Sequence, residues 1–140
     1  MIGAGRLAKA VVFGAAAALT GVPIAGADST GFTSPSGNIE CMLTDTLLRC
    51  DIGQRDWSPP PRPADCPEFT DYGQGIALHP TGPAQFVCAG DTTIGGVEVL
   101  PYGQYQAGGG MSCNSEPSGM RCSNSDGHGF TISRQAYEIF

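Results

Sequence analysis

Two cysteine pairs with the same spacing constrain the fold of this chain more than any other feature. Cys41 and Cys50 lie nine positions apart, and so do Cys113 and Cys122. If each pair flanks a β-hairpin with a two-residue loop, its cysteines lie directly opposite each other on antiparallel strands. Opposed Cα atoms in such a ladder are about 4.5 to 5.5 Å apart, which is within disulfide range. The spacing therefore predicts one disulfide within each pair.

The other two cysteines, Cys66 and Cys88, are then left to each other. Six cysteines allow many connectivities, so this assignment depends on the turns. Residues 116–119 carry proline and glycine where a type I turn prefers them, and residues 44–47 are polar at their tip. Each closure contributes roughly 3 kcal/mol by constraining the unfolded chain, and a small domain with few large apolar residues needs that contribution.

The two cysteine frames also share an arginine. At an offset of 72 positions, Arg49 superposes on Arg121, and each precedes the second cysteine of its frame. Strand alternation places each arginine on the face opposite that cysteine, where a carboxylate such as Asp51, Asp56 or Glu116 is the expected partner. The repeat has two alternative explanations: an ancestral duplication, or two unrelated hairpins that have a disulfide at the same position.

The first 27 residues predict a secretory leader. Arg6 and Lys9 precede an alanine-rich apolar run, and Ala25 and Ala27 give a small-residue cleavage pattern. The run is shorter than the roughly 20 residues of a membrane-spanning helix. We therefore expect cleavage after Ala27 and one domain over residues 28–140, secreted into the medium or associated with the cell wall and not inserted in the membrane. An uncleaved membrane anchor is the alternative.

The domain after cleavage is strongly acidic. It retains five of the seven basic residues and all 13 acidic ones, so its formal charge is 5 − 13 = −8, and it has no lysine. Such a surface repels phosphate backbones and anionic lipid headgroups. The charge argues against nucleic-acid binding and polybasic membrane docking, and it is compatible with a basic partner or with metal cations. Solubility in the extracellular medium is the competing interpretation of the same charge.

The 21 glycines and 11 prolines interrupt the chain too often for long helices, which favours short strands. Strands are expected at residues 76–78, 85–88 and 97–100. The C-terminus fits either a short helix begun by Ser133 or a final strand over residues 130–132. The expected fold is mainly β, a small disulfide-stapled barrel or a two-layer sheet built from hairpins, with at most one short C-terminal helix.

Aromatic side chains in loops are the candidate binding residues. Trp57 begins a proline-rich stretch that is expected to be extended, and Tyr102 and Tyr105 precede a run of glycines. With Tyr72, these rings predict a surface that binds a protein or a glycan. Packing of the same rings on the core is the alternative.

His128 is the candidate general base of a hydrolase alternative. It follows Asp126 closely, and a catalytic set would combine it with Asp126 or Asp91 and with a serine such as Ser36 or Ser125. Exposure on a glycine-rich loop is the competing interpretation, which assigns His128 to the binding surface. The chain has only two histidines, which excludes a histidine-rich metal site, and no cofactor is predicted.

Several stretches together resemble a family of small secreted actinobacterial proteins of mycobacterial type and unknown function. They are Phe32-Thr-Ser-Pro-Ser-Gly-Asn-Ile39 before Cys41, Arg49-Cys50-Asp51-Ile52 followed by Trp57, Phe86-Val-Cys-Ala-Gly-Asp-Thr92, Leu100-Pro-Tyr-Gly103 and Gly129-Phe-Thr-Ile-Ser-Arg134. The resemblance implies an actinobacterial origin and delivery to the envelope or medium, but no catalytic residue carries over.

Together, these features predict a noncatalytic binding or interaction module of the cell envelope or medium. Its acidic charge favours the more specific hypothesis that it inhibits a basic extracellular enzyme. The alternatives are a secreted hydrolase that uses His128 and a purely structural wall-associated protein.

Overall fold

The computed structural model describes residues 29–140, and the predicted leader at residues 1–27 lies outside the described residues. The described chain forms ten strands and no helix. The strands are β1 (Thr30–Thr33), β2 (Ile39–Leu43), β3 (Leu48–Ile52), β4 (Tyr72–Leu78), β5 (Gln85–Cys88), β6 (Tyr105–Gly108), β7 (Met111–Glu116), β8 (Gly119–Asn124), β9 (Gly129–Ile132) and β10 (Tyr137–Ile139).

The ten strands form two antiparallel sheets of five strands each. Strands β1 to β5 lie side by side in chain order, and strands β6 to β10 do the same in the second sheet. Each sheet is therefore a meander in which every strand pairs with its neighbour in sequence. The mainly β prediction is confirmed. Within residues 29–140 the sheets stay separate, so the two-layer alternative is correct and the barrel alternative is wrong.

All three predicted disulfides are present. Cys41 lies opposite Cys50 in the β2–β3 ladder, and Cys113 lies opposite Cys122 in the β7–β8 ladder. The Cα atoms of each pair are 4.0 Å apart. The third disulfide, Cys66–Cys88, ties the connection before β4 to the end of β5. The hairpin argument from spacing was therefore sufficient to give the connectivity.

The two cross-strand disulfides meet in the core between the sheets. The Sγ atoms of Cys50 and Cys122 are 3.7 Å apart, and all four of these cysteines are at most 2% exposed. Leu48, Ile76, Phe130 and other apolar side chains from both sheets surround them. Equivalent residues of the two halves thus contact each other, as in an isologous dimer interface.

A pair of glycines extends the repeat beyond the cysteine frames. Gly75 in β4 pairs with the residue after Cys50, and Gly129 in β9 pairs with the residue after Cys122. A Cβ at either glycine would collide with the carbonyl oxygen of the neighbouring strand's cysteine. The two glycines are 54 positions apart instead of 72, because 23 residues separate Asp51 from Gly75 and only 5 separate Ser123 from Gly129, a difference of 23 − 5 = 18.

Two local predictions need correction or completion. Residues 97–100, predicted as a strand, make only an isolated bridge from Val99 to Thr33, since Gly96 has a φ of 85° and the segment runs as a loop. At the C-terminus the helix alternative is wrong. Ser133 does accept a hydrogen bond from the backbone of Ala136, but the chain then enters β10 and not a helix.

Candidate functional site

A polar groove of about 600 Å³ lies where turns from both sheets meet. The first sheet contributes the β1–β2 turn and the residues after β3, and the second sheet contributes the β7–β8 and β9–β10 turns. Its lining residues are Ser34, Ser36, Gly37, Asn38, Ile39, Gly53, Gln54, Tyr102, Glu116, Pro117, Gly119, Ser133, Arg134 and Gln135. Most of them carry hydrogen-bonding side chains, so the groove suits a polar ligand.

Asn38 holds one wall of the groove in place. Its Nδ2 donates to the Gln54 carbonyl oxygen at 2.9 Å, and its Oδ1 accepts from the Gln54 backbone N–H at 2.7 Å. The Ser36 hydroxyl accepts from the Asn38 N–H at 3.2 Å. By contrast, the side-chain amides of Gln54 and Gln135 make no hydrogen bond to the protein within residues 29–140. These two amides are free to bind a ligand.

The two candidate tyrosines are separated by the fold. Tyr102 lines the groove and is 50% exposed, so part of its side chain is accessible to a ligand. Tyr105 is on the edge strand β6, is 67% exposed and does not line the groove. Tyr102 and Tyr105 are close in sequence and were therefore predicted to share one binding surface. Of the two, Tyr102 alone lines the polar groove.

Trp57 belongs to an aromatic cluster and packs against the core. Its ring centroid is 4.7 Å from that of Tyr137, which in turn is 4.9 Å from Phe86. The indole N–H donates to the Ser133 carbonyl oxygen at 2.8 Å, and the Arg55 guanidinium carbon lies over the ring, 4.9 Å from its centroid. These contacts fix the long β3–β4 connection to the second sheet.

A second groove, of about 710 Å³, lies beside this aromatic cluster. The rings of Tyr72, Phe86 and Tyr137 line it together with prolines of the segment after Trp57. Asp65 and both cysteines of the Cys66–Cys88 disulfide also line it. This groove is more aromatic than the first.

His128 is placed in a hydrogen-bonded turn. Its backbone N–H donates to Asn124 Oδ1 at 3.1 Å, and the Asn124 side-chain amide donates to the carbonyl oxygens of His79 and Gly82. Asp126 accepts a hydrogen bond from the Gly82 N–H. Within the described residues the His128 imidazole makes no hydrogen bond to a carboxylate or a serine hydroxyl. The geometry therefore offers no support for the hydrolase alternative.

Arg49 forms a buried ion-pair network on the outer face of the first sheet. Its Nε and Nη2 bind the two carboxylate oxygens of Asp51 at 2.9 and 2.8 Å, and its Nη1 binds Asp91 Oδ1 at 2.8 Å. Burial opposes the charge of this guanidinium, but the hydrogen bonds to both carboxylates raise the pKa of Arg49. The same hydrogen bond from Arg49 holds the pKa of Asp91 below its ordinary value.

The loop of residues 89–99 covers this network. Asp51 Oδ2 also accepts from the Thr92 hydroxyl and the Thr93 N–H, each at 3.1 Å. Glu40, which lies opposite Asp51 in the β2–β3 ladder, accepts from the backbone N–H groups of Gly95 and Gly96. The carboxylates of Glu40 and Asp51 therefore lie on neighbouring strands at opposed positions, where like charges repel. The loop of residues 89–99 supplies hydrogen-bond donors that offset this repulsion. The expected carboxylate partner of Arg49 is confirmed, whereas Arg121 lies over the Phe140 ring.

The described residues hold one close group of potential metal ligands. It consists of Cys41, Cys50 and Cys113. Their sulfur atoms are all bonded in disulfides, so they are not available as thiolate ligands.

Sequence reasoning missed two features. The polar groove combines residues from four distant turns, and no local pattern indicates that Asn38, Gln54 and Gln135 come together. The sequence does not indicate Phe69 as a binding residue either, because a single phenylalanine between polar residues is normally a core side chain. In the structure its side chain is 100% exposed.

Comparison with known proteins assigns the chain to a sequence family but gives no activity for it. The model of a family of unknown function, DUF6636, matches residues 11–140. The chain belongs to this family. No curated protein and no solved structure gives a significant match to it. In the portion that the structure describes, residues 29–140, we find no helix long and apolar enough to cross a membrane.

Proposed function

We propose that this DUF6636 protein is a secreted, noncatalytic binding module of the cell envelope or medium, and that its ligand is a glycan. The polar groove carries the proposal, because it places an exposed tyrosine ring beside side-chain amides that have no protein partner within residues 29–140. Aromatic faces stack on sugar rings, and amide groups donate to and accept from sugar hydroxyls. Three disulfides are compatible with an extracellular location and hold the scaffold rigid.

The groove has the dimensions of a specific binding site. Its volume of about 600 Å³ falls within the range of roughly 300 to 1,000 Å³ that is typical of small-molecule pockets. Asn38 is fixed by three hydrogen bonds, so the wall of the site is preorganised. Preorganisation lowers the entropic cost of binding. The module would hold an envelope polysaccharide without altering it.

Calorimetric titration with N-acetylglucosamine oligosaccharides and with soluble oligosaccharides released from the cell wall tests this proposal. We expect at least one of them to bind, and we expect Tyr102→Ala to weaken that binding about tenfold, which corresponds to roughly 1.4 kcal/mol. Gln54→Ala should weaken it less, because it removes one amide. Tyr105→Ala is the matched control and should bind like the unaltered protein.

Two results would contradict the proposal. One is the failure of every oligosaccharide to bind at millimolar concentration. The other is an equal loss of binding in Tyr102→Ala and Tyr105→Ala, which would place the ligand outside the groove.

A further inference from the structure

Phe69 is a large apolar side chain that the fold leaves in solvent. It is 100% exposed, whereas each of the other large apolar side chains that the structure exposes remains partly covered. Burying a phenylalanine side chain is worth roughly 1.5–3 kcal/mol. Phe69 therefore contributes no burial energy to the fold, and its whole side chain is accessible to a partner.

The backbone that presents Phe69 is held in place. Residues 67–70 form a turn in which the Thr70 N–H donates to the Pro67 carbonyl oxygen at 3.0 Å. Arg62 Nη1 donates to the carbonyl oxygens of Pro67 and Thr70, at 2.7 and 2.6 Å, and so clamps both ends of the turn. The Cys66–Cys88 disulfide anchors the turn to β5. Phe69 therefore projects from a braced turn.

The surface around Phe69 is acidic. Asp65, Glu68 and Asp71 are exposed, and no salt bridge within residues 29–140 neutralises them. Arg62, the nearby cation, is occupied by the turn and by the Tyr72 ring, over which it lies at 5.6 Å. The described chain has five arginines and 12 acidic residues, a formal charge of 5 − 12 = −7. Asp65, Glu68 and Asp71 carry three negative charges against the one positive charge of Arg62, so the surface that surrounds this apolar side chain is net negative.

We propose that the turn at residues 67–70 is a protein-docking element, in which Phe69 enters an apolar pocket of a partner whose pocket is rimmed by Lys and Arg. Aromatic anchors in fully desolvated pockets dominate binding energy at protein interfaces. Complementary charge around the anchor steers association and excludes other partners. A second copy of this chain is a poor occupant, because it presents the same acidic surface.

This docking element is separate from the glycan groove. The groove is built from the turns around Asn38, Gln54 and Tyr102, and neither Phe69 nor its turn contributes to its lining. The two sites can therefore be inactivated one at a time. Phe69→Ala should retain oligosaccharide binding, and Tyr102→Ala should retain binding of the protein partner.

Site-specific photocrosslinking of the full chain in the cells that produce it tests the proposal. p-Benzoylphenylalanine replaces Phe69 in one variant and the exposed Tyr105 in the control variant. We expect a discrete protein adduct from position 69 only. Excess unaltered protein should compete with the adduct, whereas Phe69→Ala should not. Mass spectrometry of the adduct should identify a partner other than this chain, with basic residues at the crosslinked peptide.

Titration with the purified partner measures how much affinity Phe69 contributes. Phe69→Ala should weaken binding about 30-fold or more, as at interface hot spots, and Phe69→Leu should restore part of the affinity. Glu68→Lys should slow association and reduce its dependence on salt. Phe69→Ala should not lower the thermal unfolding midpoint, since the side chain has no core contacts to lose.

Several outcomes would overturn the proposal. They are the absence of a discrete adduct at position 69, an equal adduct at position 105, and equal competition by Phe69→Ala and the unaltered protein. Two further results together would also overturn it: an adduct of the chain with itself, and a dimer that Phe69→Ala dissociates. They would show that Phe69 docks on a second copy of this chain and not on a basic partner.

Discussion

The two halves of the molecule share a scaffold and differ in what the scaffold carries. Both are five-stranded meanders with a disulfide across the second hairpin. In the first half, residues 53–71 connect β3 to β4 and residues 89–99 cover the outer face of the sheet. In the second half, residues 125–128 suffice for the corresponding connection. The comparison shows that the strand order and the position of the disulfide can be repeated while the loops differ.

The equivalent arginines show the same divergence at a single position. Arg49 and Arg121 each precede the second cysteine of a hairpin and point away from the core. Arg49 is 7% exposed because Asp51 and the loop at residues 89–99 enclose it. Arg121 has no such loop and stacks on Phe140 at 4.3 Å from the ring centroid. The loop at residues 89–99 thus buries the arginine of the first half, whereas the arginine of the second half stays at the surface.

The largest difference between the halves should appear when the arginines are removed. Arg49→Met leaves the buried Asp51 carboxylate without its cation, and we expect a loss of roughly 3 kcal/mol or more in the free energy of unfolding. Arg121→Met removes an exposed cation–π contact and should cost less than about 1 kcal/mol. Urea unfolding of both variants measures the two values. Equal losses would show that the ion-pair network of Arg49 stabilises the protein no more than the cation–π contact of Arg121 does.

The equivalent glycines should instead give matching losses. In Gly75→Ala and Gly129→Ala the new methyl group would meet the backbone of the neighbouring strand, including the Cα of Asp51 or Ser123 at 2.9 Å. Overpacking of this kind costs about 1–3 kcal/mol. Thermal and urea unfolding should give similar values for the two variants. A tolerated alanine at either position would break the equivalence of β4 and β9.

The smallest effect concerns Asp91 and the pH dependence of stability. The hydrogen bond from Arg49 lowers the pKa of Asp91 from its ordinary value of 3.8. The carboxylate therefore contributes stability that is fully present above pH 3.8 and is lost as pH falls through the lower, folded-state pKa. Because the Asp91 side chain is 78% exposed, solvent screening keeps this contribution small.

Unfolding measured from neutral to acid pH checks this prediction. Asp91→Asn should make the fall in stability below pH 3.8 shallower than in the unaltered protein. In an Arg49→Met background the same substitution should have no further effect on the profile. If Asp91→Asn changes the profile equally in both backgrounds, Arg49 is not the partner responsible.

The sequence was informative about the scaffold because local geometry decides it. A spacing of nine residues across a tight turn specifies the cross-strand disulfides, and glycine and proline exclude long helices. Residues 97–100 misled the prediction because alternation of apolar side chains does not reveal where a strand's hydrogen bonds go. There the backbone donors of the preceding glycines bind Glu40.

The candidate sites were harder to predict because they depend on how the two sheets are placed against each other. Tyr102 was selected from sequence, but its polar neighbours come from turns up to about a hundred residues apart, such as those of Ser36 and Gln135. Phe69 carries no local signal at all. Its full exposure in the structure and the bracing of its turn by Arg62 and the Cys66–Cys88 disulfide mark it as a presented side chain.

The contact between the two buried disulfides makes the pairing of their cysteines sensitive to thiol–disulfide exchange. Cys50 and Cys122 are bonded to different partners, yet their sulfur atoms are 3.7 Å apart in the finished fold. A thiolate formed at either position would face the disulfide of the other half and could attack it by exchange. Burial of all four cysteines excludes reductant from the core and so protects the native connectivity. A disulfide between the two halves would report that this protection had failed.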